Sequence, residues 1–343
     1  MDFIKKLEFG NYTLRFGDDV LLDYYDEIVF PSFLEMANIR RISDKSEFFF
    51  IDTECVILDE EATPPVLGIK GRIIKNTLLT REQVFDGADL VEDHKELETA
   101  PSSFFLLILN THRLILCKEV SGAPTIQNFQ STSQCFLNIE YEKYISHLYE
   151  TAQEERKENP DLPRVTKKSL RNEIKRPKLR ITPLTDKQSL EQFIDNFNKI
   201  QNVSVKLLPT NQEEIDNDEF LESLESAGDE MGSISTSIRF SNTDSGLNHG
   251  AVLEQLTSAT RLANSGINIK GYDDNGDIIK GSNDDFVLLS EMNELSKDTV
   301  VAANESYERY ENLVEEGKIS LPRSLSQKTI RIISNIYERF GRR

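Results

Sequence analysis

The sequence predicts an α+β protein, in which a strand-rich N-terminal domain precedes a ferredoxin-like βαββαβ domain with C-terminal helices. Three observations support this fold class. The length of 343 residues is too great for one ordinary domain and suits two. Short β-branched and aromatic runs recur between turn residues in the first part of the chain, and strands alternate with amphipathic helices after residue 177.

The N-terminal domain, residues 1–155, is predicted mainly from its strands. Its strand-like runs are Asn11–Phe16, Phe48–Leu58, Val66–Ile74 and Phe104–Cys117. The last run is interrupted by Asn110–Arg113, which predicts a β-hairpin. Its continuous apolar arm, Phe104–Leu109, is typical of a central strand covered on both faces. Apolar spacing predicts helices at Val20–Met36 and Tyr141–Glu155.

The second domain, residues 178–290, shows the element order βαββαβ that is typical of ferredoxin-like folds. The predicted strands are 178–184, 202–208, 233–240 and 267–272, and the predicted helices are 190–200 and 251–264. An acidic insertion, residues 210–231, separates the two halves. The turn Asp274–Asp277 predicts one further hairpin strand at Ile278–Lys280.

The last part of the chain, residues 291–343, is predicted to be helical. Apolar side chains recur at steps of three and four between Val300 and Val314, and again between Leu325 and Phe340. Both stretches therefore predict amphipathic helices.

Composition narrows the function classes. The formal net charge is −19, so like-charge repulsion opposes a protein that coats nucleic acid or an anionic membrane with its whole surface. The three cysteines have no C-x-x-C spacing, which favours free thiols in a reducing compartment. No apolar run is long enough for a membrane span or a secretion signal, and we therefore expect a soluble, cytoplasmic protein.

One segment, Arg164–Arg180, carries a charge opposite to that of the rest of the chain. It covers most of the predicted linker between the domains, residues 156–177, and the start of the next strand. It holds eight bases and one acid, a charge of +7 against −26 for the remainder of the chain. Such segregation is typical of a local phosphate-binding stripe. The candidate nucleic-acid-binding residues are Arg164, Lys167, Lys168, Arg171, Lys175, Arg176, Lys178 and Arg180. The plainer interpretation is a solvated linker, or one docked on the chain's own acidic surface.

The sequence contains two further clusters of charged residues. A secondary basic patch near the C-terminus consists of Lys328, Arg331, Arg339, Arg342 and Arg343. The interval Glu213–Glu230 holds nine carboxylates and no base, and its spacing favours a helix with a solvated face over a metal site.

Assembled catalytic motifs are absent from the sequence. The four histidines are scattered, no phosphate-binding glycine loop occurs, and the EF-hand pattern fails around Gly276 because Gly271 would occupy the first ligand position. A weak set for Mg²⁺-dependent nuclease chemistry combines Asp52 and Glu54 with Lys70 or Lys75. We therefore predict no catalytic residue, no metal site and no cofactor.

Two stretches and the basic linker between them carry a family resemblance. SFFLLILNTHRLILCKEVSGAPT at Ser103–Thr125 and ATRLANSGINIKGYDDNGDI at Ala259–Ile278 resemble the family of RexA-like phage-exclusion proteins, most clearly over Asn268–Ile278. The resemblance implies a non-enzymatic, DNA-binding, dimeric protein of an antiphage defence system. It also implies a membrane-protein partner encoded nearby.

The sequence thus favours a homodimeric protein that contacts DNA, or RNA, through phosphates without base-specific readout. The first alternative is an acidic protein-interaction or inhibitor module that binds a basic partner, in the manner of a nucleic-acid mimic. The second alternative is a Mg²⁺-dependent nuclease.

Overall fold

A computed structural model describes residues 3–34, 36, 38–42, 45–211, 219–233, 235–322 and 324–340. It is a mixed α+β structure built on a ten-stranded antiparallel sheet and a four-stranded antiparallel sheet. The strands of the large sheet are β1 Lys5–Phe16, β2 Asp19–Val20, β3 Arg40–Ile42, β4 Ser46–Asp59, β5 Val66–Phe85, β6 Leu90–Thr99, β7 Ser102–Ile108, β8 Arg113–Lys118, β9 Lys178–Pro183 and β14 Leu289–Met292.

The first strand organises the large sheet. One edge of β1 pairs with β8, and its other edge is shared by two strands from far along the chain. Lys5–Glu8 pair with β14, and Gly10–Arg15 pair with β9. The main order of the sheet is β14-β1-β8-β7-β5-β4-β3. Residues from both ends of the sequence are thus required to complete one sheet.

Both faces of this sheet are covered. On one face lie a helical stretch that ends in α1, Phe30–Phe33, the long helix α2, Ile126–Glu158, and the last helix α8, Gln327–Phe340. On the other face lies α7, Thr299–Glu315. The side chains of β7 from Ser103 to Ile108 are at most 1% exposed. The predicted hairpin and the prediction of a strand covered on both faces are confirmed.

A two-stranded arm extends from the large sheet. The distal part of β5, from residue 78 to 85, pairs only with β6, whereas the part before it pairs with β4 and β7. The arm, Thr77–Thr99, exposes four large apolar side chains by more than half of their surface, namely Leu79, Phe85, Leu90 and Leu97. The sequence prediction ended this strand at Ile74 and missed the arm.

The small sheet consists of β10 Lys199–Leu207, β11 Ser237–Ser241, β12 Ser265–Tyr272 and β13 Ile278–Ser282 in the order β11-β10-β12-β13. Two helices, α4 Lys187–Asp195 and α6 His249–Thr260, cover one face. Between β10 and β11 the chain forms α5, Glu219–Glu230. The acidic side chains of Glu213, Glu214, Asp216 and Asp218 lie outside the described residues.

The predicted ferredoxin-like order is not the order of this sheet. The strand expected to open that fold, now β9, pairs with β1 in the large sheet. Its alternating side chains Leu179 and Ile181 pack against the core beneath α2. Alternation identifies a half-buried strand but leaves its neighbour unspecified, so the sequence pattern suited either sheet. β13 forms the edge of the small sheet beside β12, and its prediction as a hairpin strand is confirmed.

The long helix α2 begins 15 residues before its predicted start at Tyr141. Thr125 caps it, with the hydroxyl accepting a hydrogen bond from the Asn128 backbone N–H at 3.3 Å. The first turns bury Phe129 and Phe136 but are rich in Ser, Thr, Asn and Gln, which lowers the helical signal of the sequence. Within the described parts of the chain, no helix combines the length and apolar character needed to cross a lipid bilayer.

Gly271 provides a test of the small sheet. A Cβ at this position would lie 2.1 Å from the Lys199 carbonyl oxygen and 2.9 Å from the Ile200 Cα, and backbone atoms cannot rotate away. We expect Gly271→Ala to destabilise the protein by about 3 kcal/mol, measured by urea unfolding. The matched control is Gly250→Ala in α6, where a Cβ meets only the Asn248 Oδ1 at 3.5 Å. The control is expected to be neutral or slightly stabilising, and equal destabilisation in the two variants would contradict this account.

Candidate nucleic-acid interface

The predicted basic segment is folded and docked on α2. Its first half forms α3, Lys167–Glu173, and its end enters β9. Arg171 and Arg176 both bind Glu142 on α2, at 2.8 and 3.0 Å. Lys167 donates a hydrogen bond to Ser146 Oγ at 2.8 Å and lies over the Tyr149 ring. Three of the eight predicted phosphate ligands therefore serve to hold the segment on α2.

Polar side chains of α2 also bind the backbone of this segment. Tyr141 donates its hydroxyl to the Ile174 carbonyl at 2.8 Å. Gln134 and Gln130 accept hydrogen bonds from the backbone N–H groups of Leu179 and Ile181, at 2.7 and 2.8 Å. These glutamines satisfy the outer edge of β9, which would otherwise present unpaired backbone donors to solvent. The segment is thus a structural element of the large sheet.

The remaining predicted ligands differ in their accessibility. Arg164, Lys168, Lys175 and Lys178 are exposed and form no ion pair with any acid among the described residues. Partial burial lowers the pKa of Arg180, and nearby Asp284 opposes this effect. These five cations do not converge on one point, because four lie along α3 and its flanks whereas Arg180 projects toward the small sheet.

The secondary basic patch is largely neutralised. Lys328 binds Asp23 at 2.5 Å and Arg339 binds Asp26 at 2.8 Å, which fixes α8 on the helical stretch before α1. Arg331 is exposed and has no ion-pair partner within the described residues. Arg342 and Arg343 lie outside the described part of the chain. The described patch therefore offers one unpaired cation.

The structure reveals a second polar surface, the open face of the small sheet. Alternate residues of its strands point away from α4 and α6, and this face bears amide, hydroxyl and basic groups. One cross-strand row contains Ser241, Asn202, Lys270 and Lys280, and the next contains Arg239, Ser204, Asn268 and Ser282. Lys206 follows in the third row, opposite Ser237. We call these side chains the open sheet face.

Two lysines on this face lie directly opposite each other. Lys270 of β12 pairs in register with Lys280 of β13, and neither forms an ion pair with a described acid. Like charges directly opposite on neighbouring strands are destabilising. Arg239 lies on β11, on the far side of β10 from Lys270, and donates two hydrogen bonds to Asn202 Oδ1, at 2.6 and 3.1 Å. The face is therefore positively charged in a chain of net charge −19, and a bound anion would relieve the repulsion.

The open sheet face continues into the cleft that contains Arg180. A groove of about 350 Å³ runs between Asn202 and Lys280, and a second groove of about 480 Å³ lies between the start of α2, β9 and the small sheet. Both are lined by Asn268 and Ser282. A single polar path therefore connects Arg180, through Lys206, to the opposed lysines.

Sequence reasoning missed this face because its cations are dispersed. Lys206, Arg239, Lys270 and Lys280 lie on four different strands and form no run. Their signal was their position on the polar side of alternating strands, which becomes a surface only when the pairing of β10, β12 and β13 is known.

The residues considered for nuclease chemistry form a structural clamp. Glu54 and Lys70 are cross-strand neighbours joined by an ion pair, and Lys70 also donates to Thr299 Oγ1 at the start of α7. Asp52 binds Arg72 at 2.6 Å. Among the described residues, no group of three or more His, Cys, Asp or Glu side chains could hold a metal ion.

Compared with known proteins, the chain matches no family model and no curated sequence.

The contact between α2 and the basic segment has a pH dependence. Hydrogen bonding and charge from Arg171, and then from Arg176, hold the pKa of Glu142 below its ordinary value of 4.5. The contribution of ionised Glu142 to the stability of the folded protein is therefore complete above pH 4.5, and it is lost as pH falls through the lower pKa of the folded state.

We expect Glu142→Gln to lower the free energy of unfolding at neutral pH by less than about 1 kcal/mol, because the pair is partly exposed. The difference from the unmodified protein should disappear under acid conditions that protonate Glu142. Urea unfolding at neutral pH and under these acid conditions measures the difference in the free energy of unfolding. Glu150→Gln, an exposed position on the same helix, is the control and should show no such difference. A destabilisation in Glu142→Gln that persists in acid would contradict the assignment.

Proposed function

We propose that this protein is a nucleic-acid-binding protein that contacts phosphates without base-specific readout. The observation that supports the proposal best is the open sheet face, where Lys270 and Lys280 oppose each other without an acidic partner among the described residues. Arg180 connects this face to the basic segment inferred from the sequence. The interface therefore combines part of the predicted segment with cations that sequence reasoning missed.

Phosphate binding accounts for the cations that line the open sheet face in an otherwise acidic protein. Lysine and arginine contacts to phosphates release condensed counterions, which supplies affinity without sequence recognition. The acidic remainder of the molecule repels nucleic acid and confines contact to the cationic path. Asn202, Ser204 and Asn268 add uncharged donors that bind phosphate or sugar oxygens.

The defence role rests on the family resemblance. A DNA-binding homodimer of a phage-exclusion system, with a membrane partner encoded nearby, is the biological setting that the resemblance implies. A gene for a small multi-span membrane protein beside this one would support it.

Removal of the two opposed lysines tests the function. We expect Lys270→Gln with Lys280→Gln to weaken DNA binding at least about tenfold at low salt. The slope of log affinity against log salt should fall by about 0.7 to 0.9 for each phosphate that the variant no longer binds. Fluorescence anisotropy with labelled single-stranded and duplex DNA and RNA measures both quantities.

The control pair is Lys157→Gln with Lys187→Gln, which changes the net charge equally at exposed positions on α2 and α4. It should retain affinity and slope. A second comparison neutralises Lys167, Lys168, Arg171, Lys175 and Arg176, and it should have a smaller effect than the opposed lysines. The proposal fails if no nucleic acid binds at low salt, or if the control pair weakens binding as much as the lysine pair.

The arm favours an additional protein-interaction function, and we propose that it contacts a second copy of the chain. Thr77–Thr99 carries seven carboxylates and two bases, a net charge of −5, around its exposed apolar side chains. Two such arms repel each other, whereas the exposed bases Arg164, Lys168, Lys175 and Lys178 complement them. An isolated two-stranded hairpin is only marginally stable in water, so a partner surface would stabilise it.

Leu90, which is 71% exposed at the tip of the arm, tests this contact. We expect Leu90→Ser to shift the protein from dimer toward monomer in sedimentation equilibrium, with at least about a tenfold weaker dimer for a buried anchor. Met231→Ser, at a side chain that is 76% exposed, is the control and should leave the assembly unchanged. A monomeric unmodified protein, or a dimer insensitive to Leu90→Ser, would contradict the proposal.

A further inference from the structure

The open sheet face changes its chemistry in steps along β12 and β13. The row formed by Asn268 and Ser282 is uncharged and polar, the next row is Lys270 and Lys280, and the following row is Tyr272 and Ile278. All three rows point to the same side, because alternate residues of paired strands share a face. An aromatic and apolar surface therefore adjoins the paired cations.

Tyr272 and Ile278 form this apolar surface. Ile278 is 57% exposed and Tyr272 is partly exposed, directly opposite each other at the end of the hairpin. Large apolar side chains in this position gain free energy when a flat ligand removes them from water. A nucleic-acid base is such a ligand, since every base has a π face that stacks on an aromatic ring.

The turn beyond this row is acidic. Asp273, Asp274 and Asp277 connect β12 to β13, with Gly276 in the left-handed conformation at φ 83°. Asp273 accepts hydrogen bonds from the backbone N–H groups of Asn275 and Asp277, at 2.9 and 2.8 Å. These carboxylates repel a phosphate placed near Tyr272. Lys199 of β10 pairs with Tyr272 in the same row, but its ammonium donates to the Asp244 carbonyl at 2.6 Å. The acidic turn thus favours the phosphate at Lys270 and Lys280 and an uncharged base at Tyr272 and Ile278.

The dimensions of the sheet suit a nucleotide. Residues on one face of a strand are two positions apart, which corresponds to about 6.6 Å at about 3.3 Å per residue. A base on Tyr272 and its adjoining phosphate between the lysines are separated by a comparable distance. In a duplex the interior base faces are already stacked, so only a single strand can present a base along this surface.

We propose that the open sheet face binds single-stranded nucleic acid, with one base stacked on Tyr272 against Ile278 and the adjoining phosphate held between Lys270 and Lys280. The proposal rests on the nucleic-acid-binding function above and adds the class of ligand and a base-stacking residue. Backbone contacts with the polar row at Asn268 and Ser282 complete the site, and the absence of base-specific readout is retained.

The test separates stacking from charge. We expect Tyr272→Ala to weaken binding of labelled oligothymidylate by about 5- to 150-fold, as for the loss of one stacked base. The salt slope should stay unchanged because no phosphate ligand is removed. Tyr272→Phe, which keeps the ring, should retain affinity within about twofold, and duplex DNA of equal length should bind more weakly than the single strand.

The chain contains no tryptophan, which permits a direct measurement. In Tyr272→Trp the introduced indole is the sole tryptophan, and stacking of a base should quench its fluorescence. Inorganic polyphosphate supplies the same charge without bases and should bind the lysines without quenching. Thermal unfolding of each variant checks that the hairpin remains folded.

The possible outcomes are distinct. Equal affinity for single strand and duplex, or full affinity in Tyr272→Ala, overturns the stacking site and leaves the phosphate-binding function in place. Quenching by polyphosphate equal to that by oligothymidylate also overturns stacking. Failure of the unmodified protein to bind either nucleic acid at low salt contradicts the proposed function and this inference together.

Discussion

The backbone pairing of β1 is the constraint on which the rest of the structure depends. Its twelve residues need partners along two edges, and the outer edge is completed by β9 over Gly10–Arg15 and by β14 over Lys5–Glu8. Because an unpaired edge leaves backbone donors and acceptors without partners, this requirement places both later strands. The small sheet is inserted between them, and its position beside Arg180 follows from where β9 ends.

Charge in this chain has two structural roles that the sequence alone does not separate. In the basic segment, Arg171 and Arg176 share Glu142 and hold α3 on α2. On the open sheet face, Lys270 and Lys280 repel each other and find no described acid to pair with. The first arrangement stabilises the fold, whereas the second costs stability. Repulsion that lowers stability and is not compensated within the fold is typical of a binding surface.

The extent to which sequence predicted this structure varies with the kind of signal. Local periodicity predicted the hairpin β7–β8 and the strand after the Asp274–Asp277 turn, because each depends on neighbours in sequence. The partner of β9 depends on residues more than 160 positions away, and its alternating pattern suited either sheet. The arm was missed since its polar strands resemble loops. Of the candidate site, Arg180 was predicted, whereas Lys270 and Lys280 required the strand register.

The pairing of β1 with β14 also affects how the chain is made. Lys5 leaves the ribosome early, but its partner Met292 is synthesised 287 residues later. Until β14 is synthesised, the Lys5–Glu8 part of the outer edge of β1 stays unpaired, and pairing over such a separation in sequence is slow to form. Nascent chains therefore expose a strand edge able to join that of another copy. Synthesis of β14 completes this edge, whereas fragments that end before β14 keep an unpaired strand edge that can pair with another chain.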